Sequence, residues 1–451
     1  MKQLCIMLKK QASIYIMFCL TIIAGNLISC NKLDHIPSPG DNSAAHYSSD
    51  VIDKWITMQL RLMRNATGIA NVAFSRYYAY SGIAAYEALT PGTSLVVCSN
   101  KWNGLMGLPM PEPKKKYYWP ASVNTALADM NRCIFIAAST TDKAAIDSLE
   151  TALNNSFTGS AAADVITRSN TFGKAVGDAV FNWSETDGYK NASAAYTPPV
   201  GLGLWVPTPP AFAPASTPYW GNNRVLIGGS IDNTQPGPPI FYSETPGSPF
   251  YKMAKQLYDT SQNLTADEMA QALFWRDIPG VTSPGHWLSI LQQIIQQANS
   301  HLDKAAFAYA ITGSCLSDAC ISCWQAKYKY NLLRPVTYIQ NVLGVTTWAS
   351  LITTPAHPEY PAAHAVLSSA TAAAFTAIYG NIGSFTDHTY DYMGFAPRTY
   401  NSFWAIANEV GHSRFYGGIH YLPSVDTGLI QGNKVTANII MKLGLDNSKN
   451  Y

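Results

Sequence analysis

From residue 50 onward, apolar residues return every three or four positions in one segment after another, and no stretch sustains an apolar/polar alternation. A 3.6-residue repeat gathers such residues on one face of a helix, whereas a half-buried strand needs a period of two. The spacing predicts helices over about 50–65, 70–90, 121–139, 143–156, 160–184, 248–261, 264–275 and 284–301. It does so again over about 303–333, 363–379, 398–416 and 427–443. Start signals agree: Thr265 and Glu268 have capping-box spacing, and Ser48, Ser49 and Asp50 supply N-cap residues. The expected fold is all-α, a multi-helix bundle in which no helix is apolar all round for 18 residues.

Between about 185 and 247 the periodicity stops, and Pro, Gly, Ser and aromatic residues crowd the chain, as in Tyr196–Pro199 and Pro207–Pro214. An insertion this long is either functional or disordered. Its aromatics (Trp205, Phe212, Tyr219 and Trp220) point to an ordered loop wrapped on the bundle.

At the other end, Lys2, Lys9 and Lys10 accompany an apolar run from Ala12 to Ile28, and Leu27-Ile28-Ser29 leads into Cys30. This order is a secretory signal of lipoprotein type, and the run is marginal for a spanning helix. Residues 1–29 are expected to be removed and Cys30 lipidated. Residues 30–49, polar and rich in Pro, Gly, Ser and Asn, would form a flexible tether. The mature chain is then expected at the outer membrane, on its periplasmic face or the cell surface, held by lipid alone. Removing the signal takes three lysines and no acid from 30 basic and 28 acidic residues. That near-neutral balance gives no place to nucleic acid as a partner. Cys98, Cys133, Cys315, Cys320 and Cys323 remain, an odd number that does not suit a complete disulfide framework. Cys320 and Cys323 have no second pair to close a zinc site and read as small buried apolar side chains.

Three segments near the C-terminus concentrate chemistry. In Lys327–Pro335 the seven-residue step from Lys327 to Arg334 is close to two helical turns, so both point one way. Trp324 shares their face, and Pro335 is expected to end the helix with Arg334 at its tip. Alone, such a pair would ordinarily line a solvated surface. In Pro355–His364 a proline-rich approach delivers His364 to the start of a helix, where free N–H groups and the dipole favour anions. A histidine there suits acid/base work near neutral pH. In Gly411–Asp426 the pair Gly417-Gly418 breaks a helix between Arg414 and His420, and arginine offers fixed fork donors to an oxyanion.

Together, in this order and spacing, the segments resemble the signature shared by vanadium-dependent haloperoxidases, class A acid phosphatases and type 2 phosphatidic acid phosphatases. Lys327 with Arg334-Pro335, Pro361 with His364, and Ser413-Arg414 with His420 carry the resemblance across 327–426. Weaker likeness to bacterial haloperoxidase-like proteins runs upstream through Pro284–Trp287, Phe274–Asp277, Trp205 and Arg76–Glu87. The resemblance implies a single helical domain over 50–445. It implies that Lys327, Arg334, Arg414 and the Ala363 N–H hold the oxygens of vanadate or phosphate. His420 would be the vanadium ligand, or the nucleophile of a phosphatase, and His364 the general acid/base. Trp324 and His357 would shape the halide pocket, with Asp277 and Asp426 supporting the site from behind.

The chain departs from the pattern in two places. Ala362-Ala363 replace the usual Ser-Gly, removing a hydroxyl worth roughly 1.5–3 kcal/mol to a charged acceptor. The Ala363 N–H can still donate if its backbone does not need a positive φ. Position 424, where phosphatases of this type carry Asp, is Ser, and the next acid is Asp426. His357 resembles bromoperoxidases and Trp324 chloroperoxidases; a bland alternative has His357 packed on Tyr360. The implied function is vanadate-dependent oxidation of a halide, bromide or iodide before chloride, by hydrogen peroxide, with a small organic acceptor. The second reading is a phosphomonoesterase with His420 as nucleophile and no metal. The third is a surface lipoprotein that binds an oxyanion without turnover.

Overall fold

The computed structural model describes residues 42–95, 97, 99–278 and 283–445. The expected signal 1–29, the lipidation site Cys30 and the first part of the tether lie outside the described residues, as does Cys98. Residues 42–49, expected within the tether, instead pack on the body: Ser43 and Ala44 are buried, and Leu302 N–H donates to the Tyr47 carbonyl.

Among the described residues the chain forms α1 (Asp50–Asn65), α2 (Ala73–Glu87), α3 (Trp119–Ile134), α4 (Thr140–Ser156), α5 (Ala163–Ser184) and α6 (Pro249–Gln262). There follow α7 (Ala266–Phe274), α8 (Ser283–Gln297), α9 (Leu302–Tyr330), α10 (Pro335–Asn341), α11 (Ala363–Tyr379), α12 (Phe403–Tyr416) and α13 (Leu422–Leu443). The capping box of Thr265 and Glu268 opens α7 as expected. Two features were not expected. One is α10, and the other is a short antiparallel pair, β1 (Phe385–Asp387) with β2 (Arg398–Tyr400).

The axis of the bundle is α9, packed against α2, α11 and α13. By length and composition it is apolar enough to cross a membrane, and its apolar window is wholly buried inside the protein. Two glycines set its contact with α2. A Cβ on Gly82 would lie 2.5 Å from the Tyr309 carbonyl oxygen, and one on Gly313 would lie 2.7 Å from Ala79 Cα. Each helix therefore offers the other a groove floor at which the backbones meet. On the far side α11 packs between α9, α12 and α13, bringing together the helix ends that carry the three segments.

The insertion after α5 is ordered and irregular. Trp205 and Trp220 are buried while Phe212 is exposed. It is anchored on α9: Asp318 accepts from the N–H groups of Leu226 and Ile227 and from Ser230 Oγ, and Trp205 N–H donates to the Asn331 carbonyl.

Candidate active site

Lys327 lies in the last turn of α9, which stops at Tyr330 because Asn331 takes the left-handed conformation, φ 46°. Arg334 is thus not at the tip of that helix. It is the N-cap of α10, and Pro335 starts α10 rather than ending α9, since its fixed φ suits a first helical position. The pair still converges, on the proline-rich segment ahead of α11. Lys327 Nζ donates to the carbonyls of Pro358 (2.9 Å) and Glu359 (3.0 Å). Arg334 Nε donates to that of His357 at 2.8 Å. Both side chains are fully buried, unlike the solvated stripe such a spacing ordinarily gives.

His420 sits just past Gly418, whose φ of 78° turns the chain between α12 and α13. Its Nδ1 lies 2.8 Å from Glu359 Oε1 and its Nε2 lies 3.2 Å from Arg334 Nη1. A carboxylate only accepts and a guanidinium only donates, so the network assigns the proton to Nδ1 and the lone pair to Nε2. Burial, and then the charges of Arg334, Lys327 and Arg414, hold this imidazole well below the usual histidine range. His420 is a neutral base beside Arg334 and Arg414, with Lys327 itself pushed down to about 7 by burial.

Arg414, in the last turn of α12, donates from Nη1 to the Trp275 carbonyl (2.7 Å) and faces Asp277 Oδ2 at 3.4 Å. Its Nε is buried and has no partner among the described residues. The other oxygen of Asp277 lies 3.2 Å from His364 Nε2. His364 occupies the first turn of α11, whose N-cap, Ala362, makes no side-chain capping bond. The first N–H groups of that helix therefore remain open to an anion. Ala363 is not among the residues with positive φ, so its N–H is presented without a glycine. Burial and Arg414 pull His364 below its ordinary value, against the opposing charge of Asp277.

Of these groups Asp277, Ala363, His364, Arg414 and His420 line a cavity of about 670 Å³ together with Trp324 and His357, whereas Lys327 and Arg334 do not line it. The ring of Tyr360 pairs with that of Tyr330, and His357 turns to the cavity wall. Its ring lies 5.1 Å from that of Trp324, and its Nδ1 is 3.0 Å from Arg334 Nη2. Cys315, Cys320 and Cys323 are free and buried, and no metal-binding cluster of His, Cys, Asp and Glu occurs among the described residues.

Asp426 is the expectation that fails. It is exposed on α13, where positions 424, 425 and 428 turn inward. The carboxylate on His420 belongs to Glu359, fully buried, which also takes Ser424 Oγ on Oε2 at 2.7 Å. Glu359 passed unnoticed although it stands between Pro358 and Pro361 in a segment with two histidines. A second buried pair was missed as well, His286 Nε2 with Asp387 Oδ2 at 2.6 Å.

Residues 307–444 match the family described as the VCPO second helical-bundle domain. Among solved structures, a bacterial vanadium-dependent iodoperoxidase is similar at 30% identity and a TM-score of 0.79, over 88% of this chain and 96% of that one. The holo form of a bacterial vanadium-dependent chloroperoxidase shares the fold at 15% identity and a TM-score of 0.64, over 85% of this chain and 93% of that one. Its apo form gives 15% and 0.62, over 84% and 96%. The search of curated proteins found no match.

Proposed function

The chain belongs to the vanadium haloperoxidase superfamily, and from this we propose that it is a haloperoxidase that oxidises iodide or bromide with hydrogen peroxide. The observation that carries the proposal is the His420 lone pair at Nε2, beside Arg334 and among Lys327 and Arg414. The residues present fit vanadate. His420 would take the vanadium at Nε2, while Lys327, Arg334, Arg414 and the Ala363 N–H would face its oxygens. Arg414 Nε, buried without a partner among the described residues, and the uncapped start of α11 are donors that a bound oxyanion would satisfy. When bound, vanadate supplies a Lewis-acid centre that activates peroxide toward halide without change in its own oxidation state.

His364, kept neutral by burial and turned by Asp277, is suited to accept a proton from peroxide and return it. Trp324 and His357 wall the cavity for halide. Its volume also lies in the range that seats a drug-sized molecule, which supports a small organic acceptor beside the oxyanion. The lipoprotein signal expected over residues 1–29 would place the protein at the outer membrane, on its periplasmic face or the cell surface.

One observation favours a phosphomonoesterase as the second reading: a carboxylate on Nδ1, here from Glu359, also orients an imidazole nucleophile. A paired assay on the wild-type protein separates the two. Triiodide formation with vanadate and peroxide supports the first, whereas hydrolysis of a chromogenic phosphate ester, inhibited by vanadate and without halide oxidation, would replace it with the second.

A further inference from the structure

We propose that Glu359 is the positioning residue of this site, one side chain and one carbonyl that set His420 and Lys327 together. The proposal rests on the oxyanion reading above. The side chain of Glu359 is enclosed by donors: His420 Nδ1 at 2.8 Å and the Tyr421 N–H at 3.0 Å on Oε1, and Ser424 Oγ at 2.7 Å on Oε2. Its carbonyl receives Lys327 Nζ at 3.0 Å, and its N–H donates to the Leu332 carbonyl at 2.9 Å. Glu359 therefore stitches the segment before α11 to the end of α9 and to the start of α13.

The consequence is a fixed tautomer. An acceptor on Nδ1 keeps the proton there and leaves Nε2 bare, as an oxyanion's central atom requires of a ligand. Without it, no acceptor holds the Nδ1 proton, and the contact from the Arg334 Nη1 donor to Nε2, 3.2 Å long, has to keep the tautomer alone. Ser424 shows that position 424 already reaches the same carboxylate, so an acid carried there can replace the one removed from position 359.

The test uses nitrogen-15 NMR of the histidine rings in the unliganded protein, together with vanadate titration by calorimetry. Glu359→Gln keeps an acceptor and should keep both the Nδ1–H signature and most of the affinity. Glu359→Met has none: the Nδ1–H signature should weaken as Nε2–H becomes populated, and vanadate affinity should fall about 10- to 100-fold. Adding Ser424→Asp to that variant should restore both. A wild-type tautomer in Glu359→Met, or no recovery on adding Ser424→Asp, overturns the proposal. If Glu359→Met does not fold, Ser424→Ala decides, since it frees only Oε2: severalfold weaker vanadate binding supports the proposal, and wild-type binding overturns it. Failure of the wild-type protein to bind vanadate would count against the haloperoxidase reading instead, and the tautomer measurement would still decide on Glu359.

Discussion

Trp275 and His286 lie face to face, with ring centroids 4.2 Å apart and planes 24° from parallel. Behind His286 stands Asp387, and ahead of Trp275 stands Arg414, which donates to its carbonyl. Arg414 is thus tied through one residue, Trp275, to a buried histidine–carboxylate pair. Although burial pushes the Asp387 carboxyl up, His286 and Thr389 outweigh it and hold it below the usual range. His286→Ala removes one partner of that buried carboxylate, which keeps the Thr389 N–H, and unfolding in urea should show a loss of about 1.5–3 kcal/mol. A loss below about 1 kcal/mol, the scale of an ordinary point substitution, would mean that the pair carries no such role.

The pH dependence of stability follows from His357 and His420. Burial, then Lys327 and Arg334, hold His357 well below its ordinary value, as burial and the arginines do His420. Both stay neutral in the fold, while the unfolded chain takes up their protons below about pH 6.5. The stability each contributes is complete above that pH and is lost as pH falls, at about 1.4 kcal/mol per pH unit per histidine. His357→Phe should remove about one proton's worth of that slope, read from urea midpoints between about pH 5 and 6.5. An unchanged slope would contradict the assignment.

Gly418 is the hinge on which His420 turns. At φ 78° an added Cβ would also lie 3.2 Å from the Trp348 ring. Gly418→Ala should cost about 1–2 kcal/mol, lowering Tm and weakening vanadate binding together. Weaker Tm with unchanged binding would separate the turn from the site.

Ala362 is an N-cap that cannot cap. Ala362→Ser should stabilise α11 by about 1 kcal/mol, seen as a higher Tm. Because a hydroxyl can accept from the helix and donate outward, vanadate titration should also show tighter binding. A fall in both would show that position 362, fully buried, leaves the hydroxyl no room.

Helical periodicity made the bundle legible, because most helices bury one face against α9 or its neighbours. It failed where the partner lies elsewhere in the chain. Residues 398–400 were expected to be helical, yet they pair with 385–387 as β2, a contact that local spacing does not contain. The seven residues of α10 are too few to show a period, and Asn331 ends α9 earlier than the apolar pattern suggests. The site divides in the same way. Lys327, Arg334, His364, Arg414 and His420 stand out by type and spacing. Glu359 does not, because an acid between prolines has no period and its partners, His420, Tyr421 and Ser424, lie 61 to 65 residues further on. Asp426 was chosen for its nearness to His420 in sequence, and helix geometry turns it to solvent.

The most direct test is the rate of iodide oxidation by hydrogen peroxide as vanadate is added, for the wild-type protein and His420→Ala. The wild type should gain activity saturably with vanadate, and His420→Ala, folded by circular dichroism, should gain none. Equal vanadate-dependent rates in the two proteins would contradict a vanadate site at His420 Nε2.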